Sequence, residues 1–121
     1  MERNKIMICD DDQGILEMLE LFLDMEGYEV ICEINSTNLT KQLIAHKPDL
    51  LLLDLWMPVL SGDQLIKIIR RTAELQDLPI LVLSASVDGP EIADGLGANG
   101  FIAKPFDLND ITSNIDAILK S

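Results

Sequence analysis

The sequence predicts an α/β fold in which a parallel five-stranded sheet is covered by helices on both faces. Three observations carry this reading. Short apolar runs alternate five times with segments of helical periodicity. The third run, Leu50 to Leu53, is four consecutive leucines, the pattern of a strand buried on both faces at the centre of a parallel sheet. The runs also end in residues that carry chemistry: three aspartates at the first, Asp54 at the third, Ser84 at the fourth and Lys104 at the fifth.

Lys5 to Cys9 (KIMIC) reads as the first strand and stops at Asp10, Asp11 and Asp12. Asp12 suits the cap of the helix that follows, where Ile15, Leu19 and Phe22, with Leu16 and Leu23 beside them, recur at the 3.6-residue period. Gly27 fits the position just past its end. Tyr28 to Ile34 (YEVICEI) alternates, with Glu29 and Glu33 opposite Tyr28, Val30, Cys32 and Ile34, so this strand is less completely buried and belongs at an edge. Ser36, Thr37 and Asn38 are candidate caps for a short helix that carries Leu39, Leu43 and Ile44 and ends before Pro48. His46, in its last turn, reads as a solvated residue suited to the negative end of the helix.

Leu50 to Asp54 is the central strand. Pro58 prevents its continuation, so Leu55, Trp56 and Met57 form a loop over the strand ends. A third helix runs from about Asp63 to Arg71, with Leu65, Ile66 and Ile69 inward and Arg70 and Arg71 closing it. Pro79 to Ala85 (PILVLSA) is the fourth strand. Pro90 opens a weak helix, since Gly95 and Gly97 each cost roughly 1 kcal/mol of helix propensity against alanine, and this segment is the easiest to move. Gly100 to Ala103 (GFIA) is the last strand, and Asp107 caps a final helix with Leu108, Ile111, Ile115 and Ile118 inward. With strand two at the edge and right-handed crossovers, the flavodoxin-like order 2-1-3-4-5 is the simplest arrangement. Its crevice lies beyond the ends of strands one and three.

At 121 residues the chain reads as one domain, 1–121, with room for a single core. Nine basic residues against 21 acidic ones give a net charge of −12, which repels nucleic-acid phosphate and anionic membrane and argues against direct binding to either. No apolar segment approaches the ~20 residues of a membrane span, and no apolar signal core follows Met1 to Lys5; a cytoplasmic location is expected. Cys9 and Cys32 fall inside predicted strands without metal or redox spacing and read as small buried hydrophobes. Met18, Met25 and Met57 read as packing residues.

In this topology the strand ends bring together carboxylates from strands one and three, a hydroxyl from strand four and an ammonium from strand five. Carboxylates this close raise one another's pKa unless a cation intervenes. A hard divalent cation answers that charge, and Mg2+, which takes a few protein oxygens and keeps several waters, suits a partial shell open to a phosphate. Asp54 can then act as a nucleophile towards a phosphoryl group, with Lys104 and the Ser84 hydroxyl helping to neutralise the phosphoryl oxygens.

The ordered set CDDD, LLLDLWMP, LVLSA and GANGFIAKPF resembles the receiver domain of two-component response regulators, over essentially the whole chain. The resemblance implies Asp54 as phosphorylation site, and Asp10 and Asp11 as the acidic pair, with Asp11 the more direct metal ligand. It also implies the Trp56 carbonyl as a further ligand, Ser84 as switch hydroxyl and Lys104 as phosphoryl partner. Pro105 would follow a cis peptide bond, and Phe101 would be the aromatic that swings inward on activation. The implied donor is a phosphohistidine on a sensor histidine kinase or histidine phosphotransfer protein, and the implied output face comprises helix four, strand five and helix five. The domain is then a phosphoacceptor that assists its own phosphorylation and dephosphorylation rather than an enzyme for a separate substrate.

Two positions depart from the commoner pattern: bulky Trp56 lies two residues past Asp54 and small Ser86 two past Ser84, where side chains influence water access to the phosphoryl group. Family members that dimerise and bind DNA often carry an arginine where this chain has Asn114, in the run Asp110 to Asn114 (DITSN). That departure favours a stand-alone receiver or one excised from a hybrid histidine kinase. An aspartate-nucleophile Mg2+ phosphatase would show a second aspartate two residues past the first, where Trp56 stands. A flavodoxin-type electron carrier would want backbone donors, not aspartates, after strand one.

Overall fold

A computed structural model describes residues 3–85 and 89–120 of the chain. Strands β1 (Lys5–Cys9), β2 (Glu29–Glu33), β3 (Leu50–Asp54), β4 (Ile80–Ser84) and β5 (Gly100–Ala103) alternate with helices α1 (Gln13–Met25), α2 (Leu39–His46), α3 (Gly62–Arg71), α4 (Gly89–Gly95) and α5 (Leu108–Lys120). All pairings are parallel and the strand order is β2-β1-β3-β4-β5, as the sequence predicts.

Alternation along each strand divides the core into two layers. Met7, Cys9, Leu51, Leu53, Ile80 and Val82 pack with residues of α2, α3 and α4, including Leu43, Leu65, Ile69 and Ala93. Ile6, Ile8, Leu50, Leu52, Leu81 and Leu83 pack on the other face with Leu16, Leu19 and Leu23 of α1 and Ile111 and Ile115 of α5. The leucine run is apolar throughout because its odd and even members serve opposite layers. β2 has water on one side and only partly buried side chains, which is why its sequence alternates.

Asp12 caps α1 by accepting from the N–H groups of Gly14 and Ile15, and Gly27, at φ 97, occupies the left-handed position past its end. Ser61 and Gln64 form a capping box at α3. Asp107 Oδ1 accepts from Asn109 N at 2.9 Å at the start of α5.

Four expectations are corrected. The cap after β2 is Asn35, whose Oδ1 accepts from Thr37 N at 3.0 Å over a 3-10 turn at Ser36–Asn38, and Asn38 makes no side-chain cap bond to α2. Ile44 is exposed, because α2 is only eight residues long and buries the narrow stripe of Leu39 and Leu43. Met18 and Met25 are exposed on the outer face of α1, and only Met57 of the three methionines is buried, its Sδ 3.8 Å from Cys9 Sγ. Cys32 is half-buried rather than fully so, on an edge strand, and both thiols are free.

Arg70 does more than suit the end of α3. Its guanidinium donates to the carbonyls of Gln76, Leu78 and Gly97 and to Asn99 Oδ1, joining the α3–β4 connection to the α4–β5 connection.

Candidate functional site

Sheet register builds the site. Cys9 pairs with Leu53, so Asp10 emerges beside Asp54; Asp54 pairs with Leu83, one residue before Ser84; Ser84 pairs with Ala103, one residue before Lys104. Four side chains scattered over the sequence therefore share one rim, at the carboxyl ends of the strands where open α/β sheets bind ligands. The Lys104–Pro105 peptide bond is cis, and Lys104 N donates to Ser84 O at 2.9 Å.

Asp10, Asp54 and Ser84 are buried and Asp11 is exposed. Carboxylate oxygens of Asp10, Asp11 and Asp54 lie within 4.8 Å of one another. Lys104 Nζ is 2.9 Å from Asp10 Oδ2 and 3.5 Å from Asp54 Oδ1. Asp10 Oδ1 also accepts from Asp12 N at 2.9 Å, and Asp54 Oδ1 from Trp56 N at 3.4 Å. Burial, and then the charge of Asp10, push the Asp54 carboxyl up to about 6, against the opposing pull of Lys104 and the Trp56 N–H. Burial lowers the Lys104 pKa, but its bond to Asp10 and the charges of Asp10 and Asp54 outweigh that and leave it raised. The proton therefore stays on the lysine, while Asp54 holds its own proton more tightly than a free carboxyl does.

This donor set fits a metal ion. Three carboxylates face one ammonium, an excess of negative charge, and the charge of Asp10 adds to burial in raising the Asp54 pKa. The ligands are hard oxygens, and the exposure of Asp11 leaves the outer side of the cluster to water.

Trp56 is 55% exposed at the rim. Phe101 is half-buried on the α2–α3–α4 side of the sheet, beside a cavity of about 210 Å³ that it lines with Ala93, Asp94 and Ala98. Ser86 lies outside the described residues. A larger cleft of about 590 Å³, lined by Leu43, Leu75, Leu78 and Pro79 among others, opens at the amino ends of β3 and β4, away from the carboxylates.

Two features of the loop after Asp54 were not read from the sequence. Gly62 packs so tightly on the strand end that a Cβ there would stand 2.3 Å from Asp54 O, and Gly62 N donates to Leu55 O at 2.7 Å. Val59 has φ 70 and is 82% exposed, an uncommon conformation for a β-branched residue that costs about 1–3 kcal/mol. The proline-containing loop was visible in the sequence; the close approach and the strained turn had no local signal.

A doubly wound parallel sheet with a buried aspartate, an acidic pair and a lysine at its switch point defines a class, the α/β domains whose ligand crevice lies beyond the carboxyl ends of the strands. The chain belongs to the response regulator receiver domain family, whose model matches residues 6–116. It is 40% identical over 117 residues to the response regulator GtcR of Aneurinibacillus migulanus, covering 95% of this chain and 47% of that protein. It is 34% identical over 117 residues to the phosphate regulon transcriptional regulatory protein PhoB of Pseudomonas aeruginosa, covering 95% and 51%. The chain thus spans about half the length of these relatives. Among solved structures, a Chloroflexus aurantiacus protein assigned as a response regulator superposes with a TM-score of 0.94 at 31% identity, over 99% of this chain and 100% of that one. The chemotaxis protein CheY4 of Vibrio cholerae, at 24% identity, shares the fold with a TM-score of 0.89 over 97% and 99% of the two chains. The chain is a receiver domain of two-component signal transduction, and no helix among its described residues is long and apolar enough to cross a membrane.

Proposed function

We propose that Asp54 is the phosphoacceptor of this receiver and that its donor is a phosphohistidine on a sensor histidine kinase or histidine phosphotransfer protein. The observation that carries the reading is the meeting of Asp10, Asp11, Asp54 and Lys104 at one rim, with Asp54 buried beneath an open side. An Asp54 carboxylate oxygen attacks phosphorus in line, the phosphorus–nitrogen bond breaks, and the imidazole leaves with the electron pair. The product is an aspartyl phosphate. Asp10, Asp11 and Asp54, with the Trp56 carbonyl, would hold Mg2+, which when bound supplies charge neutralisation for the phosphoryl oxygens. Lys104 moves from Asp10 towards the new phosphoryl group, and the Ser84 hydroxyl turns to it.

Ser84 and Phe101 then link the modified site to the face formed by α4, β5 and α5, which passes the signal to a downstream protein. Half-buried Phe101, bordering an open cavity against Ala93 and Ala98, supports a ring able to change its packing. The chain acts on its own phosphoryl group and on no separate substrate. Its charge of −12 opposes direct contact with nucleic acid or anionic membrane. We place it in the cytoplasm, in keeping with two free thiols. Asn114 stands where DNA-binding relatives often have arginine, and that departure favours a stand-alone or hybrid-kinase receiver; its side chain donates to Asp110 O of its own helix.

The test is incubation with Mg2+ and acetyl phosphate followed by intact-mass measurement. Wild type gains one phosphoryl group and Asp54→Asn gains none; an adduct on Asp54→Asn, or none on wild type, overturns the assignment.

A further inference from the structure

We propose that Ser36 is a positioning residue for the Asp54 site, holding the loop that carries Trp56 through a strained turn at Val59; this rests on the reading of the metal and Asp54 given above. Ser36 stands outside the strand-end motifs, in the 3-10 turn between β2 and α2, and is buried. Its Oγ donates to Pro58 O at 3.1 Å and accepts from Leu60 N at 3.3 Å. Between those two contacts Leu60 N donates to Pro58 O at 2.9 Å, closing a three-residue turn around Val59 with its φ of 70.

At 82% exposure Val59 has little packing to hold it in this conformation, so the turn is kept by what fixes the peptides on either side. One hydroxyl touches both of them. Asn35 supplies the cap to this segment, so the Ser36 side chain serves the loop instead. Beyond the turn, Gly62 N is tied to Leu55 O. The chain from Leu55 to Gly62 is thus held at two places, and Trp56, whose N–H reaches Asp54, lies between Asp54 and the Ser36 contact. Without the hydroxyl, Val59 relaxes to negative φ, Pro58 moves, and the Trp56 peptide loses its alignment with Asp54.

Trp56 is the sole tryptophan, so its fluorescence, together with calorimetry, follows Mg2+ titration of the full chain. Ser36→Ala is expected to weaken Mg2+ binding about fivefold with an unchanged circular dichroism spectrum, as a site loses preorganisation. Val59→Gly accepts the positive φ without strain, so it should bind Mg2+ as wild type does and melt at a higher temperature in metal-free buffer. In the Val59→Gly background, Ser36→Ala should cost less than about twofold, because glycine keeps the turn without the clamp. Wild-type affinity in Ser36→Ala, or an equal loss in both backgrounds, overturns the proposal. Should Ser36→Ala not fold, a Val59→Gly chain melting no higher than wild type overturns it instead. No Mg2+ binding by wild type would defeat the reading of the site itself, a separate result.

Discussion

Lys104 Nζ meets Asp10 Oδ2 at 2.9 Å, an ion pair between residues 94 positions apart. β3 and β4 lie between the strands that carry the two residues, so the lysine side chain spans the crevice. Asp10 is only 1% exposed, and removing its cation leaves a buried charge. Lys104→Met is expected to lose about 2 kcal/mol of stability in metal-free buffer, and millimolar Mg2+ should restore more than half of it by replacing the missing charge. Urea unfolding with and without Mg2+ measures both.

Stability should also depend on Asp54 with a definite sign. Its carboxyl rises from 3.8 to about 6 in the folded chain, so the folded state binds this proton more tightly than the unfolded state. Below about pH 4 both states are protonated and the group contributes nothing; as pH rises from about 4 to 6 the fold loses stability, and above 6 the full penalty remains. Asp54→Asn should therefore be more stable than wild type at neutral pH by about 3 kcal/mol without metal, and nearly equal to it at about pH 4. Thermal unfolding in EDTA across that range tests the crossover.

Gly62→Ala should be among the costliest single changes. The new Cβ would meet Asp54 O at 2.3 Å and Leu55 Cα at 2.7 Å, both backbone atoms that cannot swing aside. A loss of about 3 kcal/mol or more is expected from denaturant titration, with weakened Mg2+ binding, because the atoms displaced belong to the strand end that carries Asp54.

Trp56 places a bulky indole at the rim two residues past Asp54. Trp56→Ala should speed loss of the phosphoryl group about threefold or more by opening the site to water. The decay of the phosphorylated species by intact mass gives the rate; an unchanged lifetime would show that the indole does not shield it.

Much of this molecule was legible because its elements are short and each announces its end. The leucine run fixed the centre of the sheet, and the alternation in Tyr28 to Ile34 fixed an edge. The candidate site was legible because each of its residues ends or directly follows a strand, and parallel register turns that position into proximity. What escaped were long-range polar contacts with no periodicity. Ser36 was read as a helix cap since hydroxyls before helices usually serve that role, yet its partner is a loop more than 20 residues away. Arg70 was read through its helix end alone, when its bonds lie with backbone carbonyls of two connections. Met18 and Met25 read as packing residues from their type alone, and α1 packs only the stripe of Leu16, Leu19 and Leu23 inward.

Burial and nearby acids push both Cys9 and Cys32 up to about 12. That shift disfavours the thiolate, which is the form that alkylating dyes capture. A cysteine introduced on an exposed helix face should thus react with maleimide faster than the two native sulfurs. Distance changes across α4, β5 and α5 become measurable by fluorescence in a chain whose natural cysteines are left in place.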